Sequence, residues 1–415
     1  MTQSSHRPAA DRCPGVFSTH TAADGAVARI RLPGGRIRAD QLQILAQAAA
    51  EHADGYLEPT VRANLQLRGI TDTDAVARAV IAAGLAPSTT HDKARNIEVS
   101  PLTGRIGGRA DVRPIADRLD DLLRADPATA ELSGRFLFGV DDGRGDIIAR
   151  RPDAGARVDS VGADKTIVAV IEAGGVSLGL ATGVDAIADA LLSVARAVVE
   201  IAPDAWRVTD LSPAERAALA TVVSEPLAPL SPIPLPPIPL SPVPLSPAQD
   251  ATDDPAPAPA SDPTVGWFTQ DDGRILLGAV VELGRLPARL AEFLAAIEAP
   301  IILTPDREIL ICDLTEEVAE TVVRVLAPMG LIFDATSPWA RVTCCVGAPG
   351  CAKGLAPVRA DLAERVRSGE PVDDLEHWVG CARGCGSPAG RHLHVEAMPD
   401  GEYRREVSIG LPHHD

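Results

Sequence analysis

The chain has 415 residues, more than one ordinary core accommodates, so two or three domains are expected. Hydrophobic residues make up 46% and charged residues 23%, the balance of a globular protein, while aromatics at 3% leave the cores to Ala, Val, Leu and Ile. A net charge of −18 argues against nucleic acid as a partner, because neutralising phosphates takes a surplus of Lys and Arg.

The start, Met1 to Gly15, is polar and has no apolar h-region, so no signal peptide is expected. No run of about 18 apolar residues occurs, which predicts no transmembrane helix and no membrane partner. Of the seven cysteines, five crowd into residues 344–385. A secreted disulfide framework spreads its cysteines along a small chain. Cytoplasmic thiols engaged in metal ligation fit better.

In chain order, AVARIRLPGGRI (26–37) reads as a strand and DQLQILAQAAAEHA (40–53) as a helix whose Leu42, Leu45 and Ala49 share one apolar face. TVRANLQLRGI (60–70) is a strand, DAVARAVIAAGLA (74–86) a helix with Val76, Val80 and Ala83 inward, and KARNIEVSPLTG (93–104) a third strand. GRFLFGVDDG (134–143), TIVAVIEAGGVSLGLAT (166–182) and the helical DAIADALLSVARAVVEI (185–201) form a further α+β domain.

Residues 226–263 are Pro-rich, then acidic, and can hold neither a helix nor a central strand. They read as an extended, semi-rigid linker; a ligand for a Pro-recognising domain is the other reading of such a tract.

Beyond the linker the first pattern recurs: ILLGAVVELGRL (275–286), PARLAEFLAAIEA (287–299), TPDREILICDL (304–314), EEVAETVVRVLAPMGLI (316–332) and WARVTCCVGAPGC (339–351). Gly35 aligns with Gly284, Arg62 with Arg307, Gly84 with Gly330 and Arg95 with Arg341. The order strand, helix, strand, helix, strand in each copy predicts two ferredoxin-like α+β half-domains. The expected boundaries are 13–90 and 264–336 for these halves, with further α+β domains at 91–225 and 337–415.

The last domain carries a cysteine constellation: Cys344 or Cys345 with Cys351, then Cys381-x3-Cys385 after a long gap. Four thiolates satisfy a [4Fe–4S] cube, and the glycines at 347, 350, 354, 380, 384 and 386 leave room for the backbone to wrap it. The helical AKGLAPVRADLAERVRSG (352–369) follows Cys351 directly, so its N-terminal amides are expected to favour the cluster's negative charge. A zinc site from the same cysteines is the competing reading, although zinc pairs are usually spaced C-x2–4-C. Cys13 and Cys312 read as lone structural thiols.

A Cys-x5-Cys pair with a distant Cys-x3-Cys, in a chain with duplicated halves, resembles the nitrite and sulfite reductase superfamily. Within it, CPGVF (13–17), RIRLPGG (29–35), TVRANLQLRG (60–69), RNIEVSPLTG (95–104) and GCARGCGSP (380–388) are similar to the precorrin-3B synthases of aerobic cobalamin biosynthesis. The resemblance spans nearly the whole chain except residues 1–12 and the linker. It implies a pseudo-two-fold duplication around a central tetrapyrrole cavity, and its x5 spacing selects Cys345, with Cys351, Cys381 and Cys385, as cluster ligands. Cys385 falls where the reductases bridge the cluster to sirohaem.

The activity implied is O2-dependent hydroxylation of precorrin-3A at C20 with lactone formation. Also implied are a mononuclear non-haem iron and electrons from NADH through a reductase or a ferredoxin. His392 and His394 share a strand face near the cysteines, but two histidines at that spacing are more often surface residues than ligands.

A precorrin bears many carboxylate arms, and Arg meets a carboxylate with two parallel bonds. The resemblance places Arg29, Arg62 and Arg95 on anion-binding motif positions and Arg135 where the reductases have a lysine. Asn64 and Gln66 lie at even spacing from Arg62 and are expected on the same strand face. The alternative for each arginine is an ion pair within the protein or a solvated strand end. Two positions depart from the reductase pattern: Leu137 stands for the second lysine and Glu58 for an arginine. A sirohaem-dependent sulfite or nitrite reductase, needing dense positive charge, is therefore the second reading, and a non-catalytic iron–sulfur or tetrapyrrole-binding module the third.

Overall fold

The computed structural model describes Asp11, residues 13–230 and residues 263–409. The first repeat builds strands Gly25–Ile30, Tyr56–Pro59 and Leu65–Ile70, covered by helices Ala39–His52 and Thr73–Ala82. The second builds Ile275–Val281, Ile301–Leu303 and Ile309–Leu314, covered by Ala288–Ala295 and Glu316–Leu326. Side chains of Asp72 and Thr315 accept the Ala75 and Val318 amides, so equivalent helices start on equivalent caps.

The two halves do not stand apart. Arg36–Ile37 leaves the first repeat and pairs antiparallel with Ile301–Ile302 of the second. Leu286–Pro287 leaves the second and pairs with Tyr56–Leu57 of the first. Each half thus closes the other's sheet edge, and one apolar core includes Leu45, Val80, Leu294 and Val322 from both. Gly35 makes the exchange possible: its φ is +68°, and an added Cβ would lie 2.1 Å from the Leu303 carbonyl oxygen.

Two further sheets share one topology. Ile97–Val99, Phe138–Asp141 and Ala154–Val161 run parallel, and Ile167–Ala173 returns antiparallel. Val342–Cys344, Glu376–Val379 and His392–Ala397 also run parallel, and Tyr403–Ser408 returns. The structure is α+β, as the patterns predict.

Four expectations shift. The last strand of each repeat opens one of these outer sheets and does not join its half-domain. The chain remains packed through Ala228, whose amide and carbonyl pair with Leu180 at 3.0 and 2.8 Å, so the spacer begins after residue 226; most of it, 231–262, lies outside the described residues. The repeat is offset by one at the central turn. Thr60 donates to Asn64 at 2.9 Å and Thr304 to Glu308 at 3.0 Å, so Arg307 (φ 66°) matches Ala63 (φ 53°) and not Arg62. Finally, the helix after Cys351 begins at Val358, so its first turn does not follow the cysteine. No helix among the described residues is long and apolar enough to cross a membrane.

Candidate functional site

Two loops leave the carboxyl ends of neighbouring parallel strands, the usual position for a ligand in such sheets. One follows Val342–Cys344 and carries Cys345 and Cys351; the other follows Glu376–Val379 and carries Cys381 and Cys385. The Gly380 amide donates to Cys345 Sγ at 3.2 Å, and the Leu355 amide donates to the Gly380 carbonyl at 2.8 Å, so the loops are sewn together. Bulk is forbidden there: a Cβ on Gly354 would lie 2.5 Å from the Ala348 nitrogen, and one on Gly347 would lie 2.9 Å from the Ala356 oxygen.

Burial raises the Cys345 thiol pKa, the Gly380 and Gly347 amides oppose this, and Cys381 and Cys351 are its charged neighbours. Burial pushes Cys344 up to about 11, and its charged surroundings are chiefly Arg359 and Arg307. Among the described residues, the group of ligand atoms gathered within 4.8 Å of one another is Asp141, Asp142 and Asp146, and no three of the cysteine sulfurs are so close. A tetrahedral zinc ion with bonds of about 2.3 Å draws its sulfurs nearer than that, whereas a four-iron cube holds them apart. Four thiolates on two glycine-rich loops are the donor set that a four-iron cube takes.

The Cys385 end is gripped from outside its loop. His377, fully buried, places Nε2 3.1 Å from the Cys385 carbonyl oxygen and Nδ1 2.8 Å from the Thr343 hydroxyl. Burial and neighbouring Arg307 hold its pKa well below the usual range, so the ring is neutral. Arg307 Nη2 donates to the Gly386 carbonyl at 2.8 Å.

His392 and His394 gather with His377 on this face, ring centroids 6.0 to 6.5 Å apart, and His392 is buried, not at the surface. Because both His377 nitrogens are engaged, the three rings do not fit a mononuclear iron. Nor does the acidic trio. Asp141 accepts amides of Gly143, Gly145, Ile147 and Ile148 at 2.8 to 3.0 Å, and Asp142 pairs with Arg144, so these carboxylates order a loop.

The six polar residues expected at a ligand pocket are placed unequally. Arg29 lies opposite Gln66 in the sheet, is half-buried, and reaches Cys13 Sγ at 3.9 Å. Arg62 sits in the turn before the strand Leu65–Ile70, and donates to the Gly134 carbonyl at 3.2 Å. Arg135 lies over the Trp206 ring, 4.4 Å from its centroid. By contrast, Arg95 is committed to Asp120 by bonds of 2.6 and 3.0 Å. Asn64 accepts the Leu32 amide at 2.8 Å and is buried, a turn-fixing role. Gln66 donates to Glu58 at 3.3 Å.

Sequence reasoning missed the partners of Glu58, which accepts from Arg285 at 3.2 Å and Arg359 at 2.7 Å. It also missed Arg31 and His377. Arg31 carried a signal, two residues along the chain from Arg29; His377 carried none.

Comparison with known proteins agrees with the fold. Residues 20–79 match the nitrite/sulfite reductase ferredoxin-like half domain. A precorrin-3B synthase of Sinorhizobium is 26% identical over 94% of this chain and 81% of its own length. A ferredoxin–nitrite reductase of Leptolyngbya laminosa is 29% identical over 39% of this chain and 31% of its own. The NirA protein of Mycobacterium tuberculosis superposes with a TM-score of 0.70 at 18% identity, covering 94% of this chain and 76% of that one. The chain therefore has the fold of the nitrite and sulfite reductases and is similar along nearly its whole length to a precorrin-3B synthase.

Proposed function

We propose that this chain is a precorrin-3B synthase, hydroxylating precorrin-3A at C20 with O2 and closing the lactone, in the cytoplasm. Cys345, Cys351, Cys381 and Cys385 would hold a [4Fe–4S] cluster, which supplies one-electron transfer when bound. NADH, through a reductase or a ferredoxin, would be the electron source. The Gly380 amide bonds Cys345, while His377 and Arg307 hold the carbonyls of Cys385 and Gly386, fixing both loop ends. Arg29, Arg62 and Arg135 offer cations to carboxylate arms, whereas Arg95 is paired with Asp120.

The observation favouring a macrocycle over a small anion lies at Glu58 and Leu137. A reductase pocket concentrates cations, but here Glu58 neutralises Arg285 and Arg359, and Leu137 is a buried apolar residue. Anaerobically purified protein should show a broad iron–sulfur shoulder without sirohaem bands, and should consume O2 and convert precorrin-3A. Sirohaem bands with sulfite or nitrite turnover, precorrin-3A being untouched, would replace this reading by the reductase one.

A further inference from the structure

Arg31 is 1% exposed, and its Nε, Nη1 and Nη2 meet no hydrogen-bond partner among the described residues. The other buried arginines among the described residues are paired: Arg68 with Asp24, Arg95 with Asp120 and Arg105 with Asp313. The chain is rich in carboxylates, so an unpaired buried guanidinium is a cost that a purely structural residue would not retain.

Its charged neighbours do not relieve it. Arg29 and Arg62 repel it, while Cys13 and Asp92 attract it without bonding. Asp92 is already engaged, its Oδ2 accepting the amides of Val16 at 2.6 Å and Phe17 at 3.2 Å. Burial and Arg29 lower Arg31 to about 9, which still leaves it charged at neutral pH. Arg29 Nε is likewise buried without a partner among the described residues; Arg31 directly follows the strand Gly25–Ile30, and the alternate core residues Ala28, Ile30 and Leu32 leave Arg29 and Arg31 to the opposite face. The segment Cys13–Phe17 lies against them, Cys13 Sγ 3.9 Å from Arg29 Nη1, and is held by Asp92 and by Cys13 Sγ donating to the Gly134 carbonyl at 3.5 Å.

We infer that Arg31 is the inner cation of a carboxylate-binding site, completed when a carboxylate arm of the bound macrocycle enters beneath the segment Cys13–Phe17 and meets Arg31 behind Arg29. This rests on the tetrapyrrole reading and adds a residue and a closing segment to it. A residue kept for a ligand at the expense of the empty protein has a signature that a packing residue lacks. Removing it stabilises the unliganded fold and weakens binding.

The test uses the full chain with its cluster intact, wild type beside Arg31→Met and Arg31→Lys. The readouts are the unliganded melting temperature and the affinity for uroporphyrin, an octacarboxylate tetrapyrrole, with sulfite as a separate arm. Arg31→Met should melt higher, by about 1–3 °C, and bind uroporphyrin about ten- to a hundred-fold more weakly. Arg31→Lys should recover part of that affinity. Unchanged uroporphyrin affinity in Arg31→Met, or a lower melting temperature with or without weaker binding, would overturn the inference and make Arg31 a packing residue. An effect on sulfite alone would make this a small-anion site and overturn it too. If wild type itself fails to bind uroporphyrin, the tetrapyrrole reading falls first and this inference with it.

Discussion

The Gly380 amide donates to Cys345 Sγ, and the same contact recurs in the first outer domain, where the Asp142 amide donates to Ser100 Oγ at 3.1 Å. Ser100 and Cys345 follow equivalent strands, so the first domain shows what this loop looks like with a hydroxyl in place of the thiol. Cys345→Ser should therefore keep the loop bond and the fold but lose the iron–sulfur absorbance. Cys351→Ser, Cys381→Ser and Cys385→Ser should lose it as well, while Cys344→Ser should keep most of it. Loss in Cys344→Ser with retention in Cys345→Ser would reverse the ligand choice.

Glu58 is the meeting point of three parts of the chain, bonding Gln66 in its own sheet, Arg285 of the second half and Arg359 of the cysteine domain. Glu58→Ala strands the partly buried Arg359 and leaves Arg285 with Asp54 alone, at 2.7 Å, and should cost about 1–3 kcal/mol in denaturant unfolding. Glu58→Gln, which keeps an acceptor oxygen, should cost less. A loss within about 0.5 kcal/mol for the alanine variant would show that the junction is held elsewhere.

Leu137 is 5% exposed, with its amide donating to Asp153 Oδ2 at 2.9 Å. Leu137→Met should be tolerated at under about 1.5 kcal/mol. Leu137→Lys, which imitates the reductase pattern, buries an amine and should destabilise by about 3 kcal/mol or more without conferring sulfite reduction. Sulfite turnover by a stable Leu137→Lys protein would contradict the macrocycle reading.

Glu308 sits where the first repeat has Asn64, and accepts the Thr264 amide at 2.6 Å and the Thr304 hydroxyl at 2.9 Å. Burial, with Asp306 beside it, pushes its carboxyl from 4.5 up to about 7. The folded protein then holds a proton that the unfolded chain has released, so this group's contribution falls as pH rises from about 4.5 to about 7 and is flat above. Glu308→Gln should remove that slope and raise the melting temperature at pH 8 relative to wild type. An unaltered pH–stability profile would show that Glu308 is ionised throughout.

Much of this protein is local in origin and so could be read from its residues alone. The helical faces of Leu42, Leu45, Val76 and Val80 follow from a period of 3.6, and all four lie in the shared core. The cysteine spacing and its glycines set out the loops because a chain that wraps a bulky centre needs small residues at short intervals.

What the tertiary structure decided are pairings between residues far apart in sequence, which leave no periodic trace. Arg36–Ile37 and Leu286–Pro287 are too short to stand as strands alone, and are strands because each meets the other half's edge. Arg95 reads as an anion contact in its motif, yet it is spent on Asp120 across a helix. Glu58 finds Arg285 and Arg359 at separations of 227 and 301 residues. Arg31 differs from Arg95 and Arg105 by having found no such carboxylate among the described residues, because pairing of a buried charge depends on which side chains the fold brings within about 4 Å and not on the residues beside it in the chain.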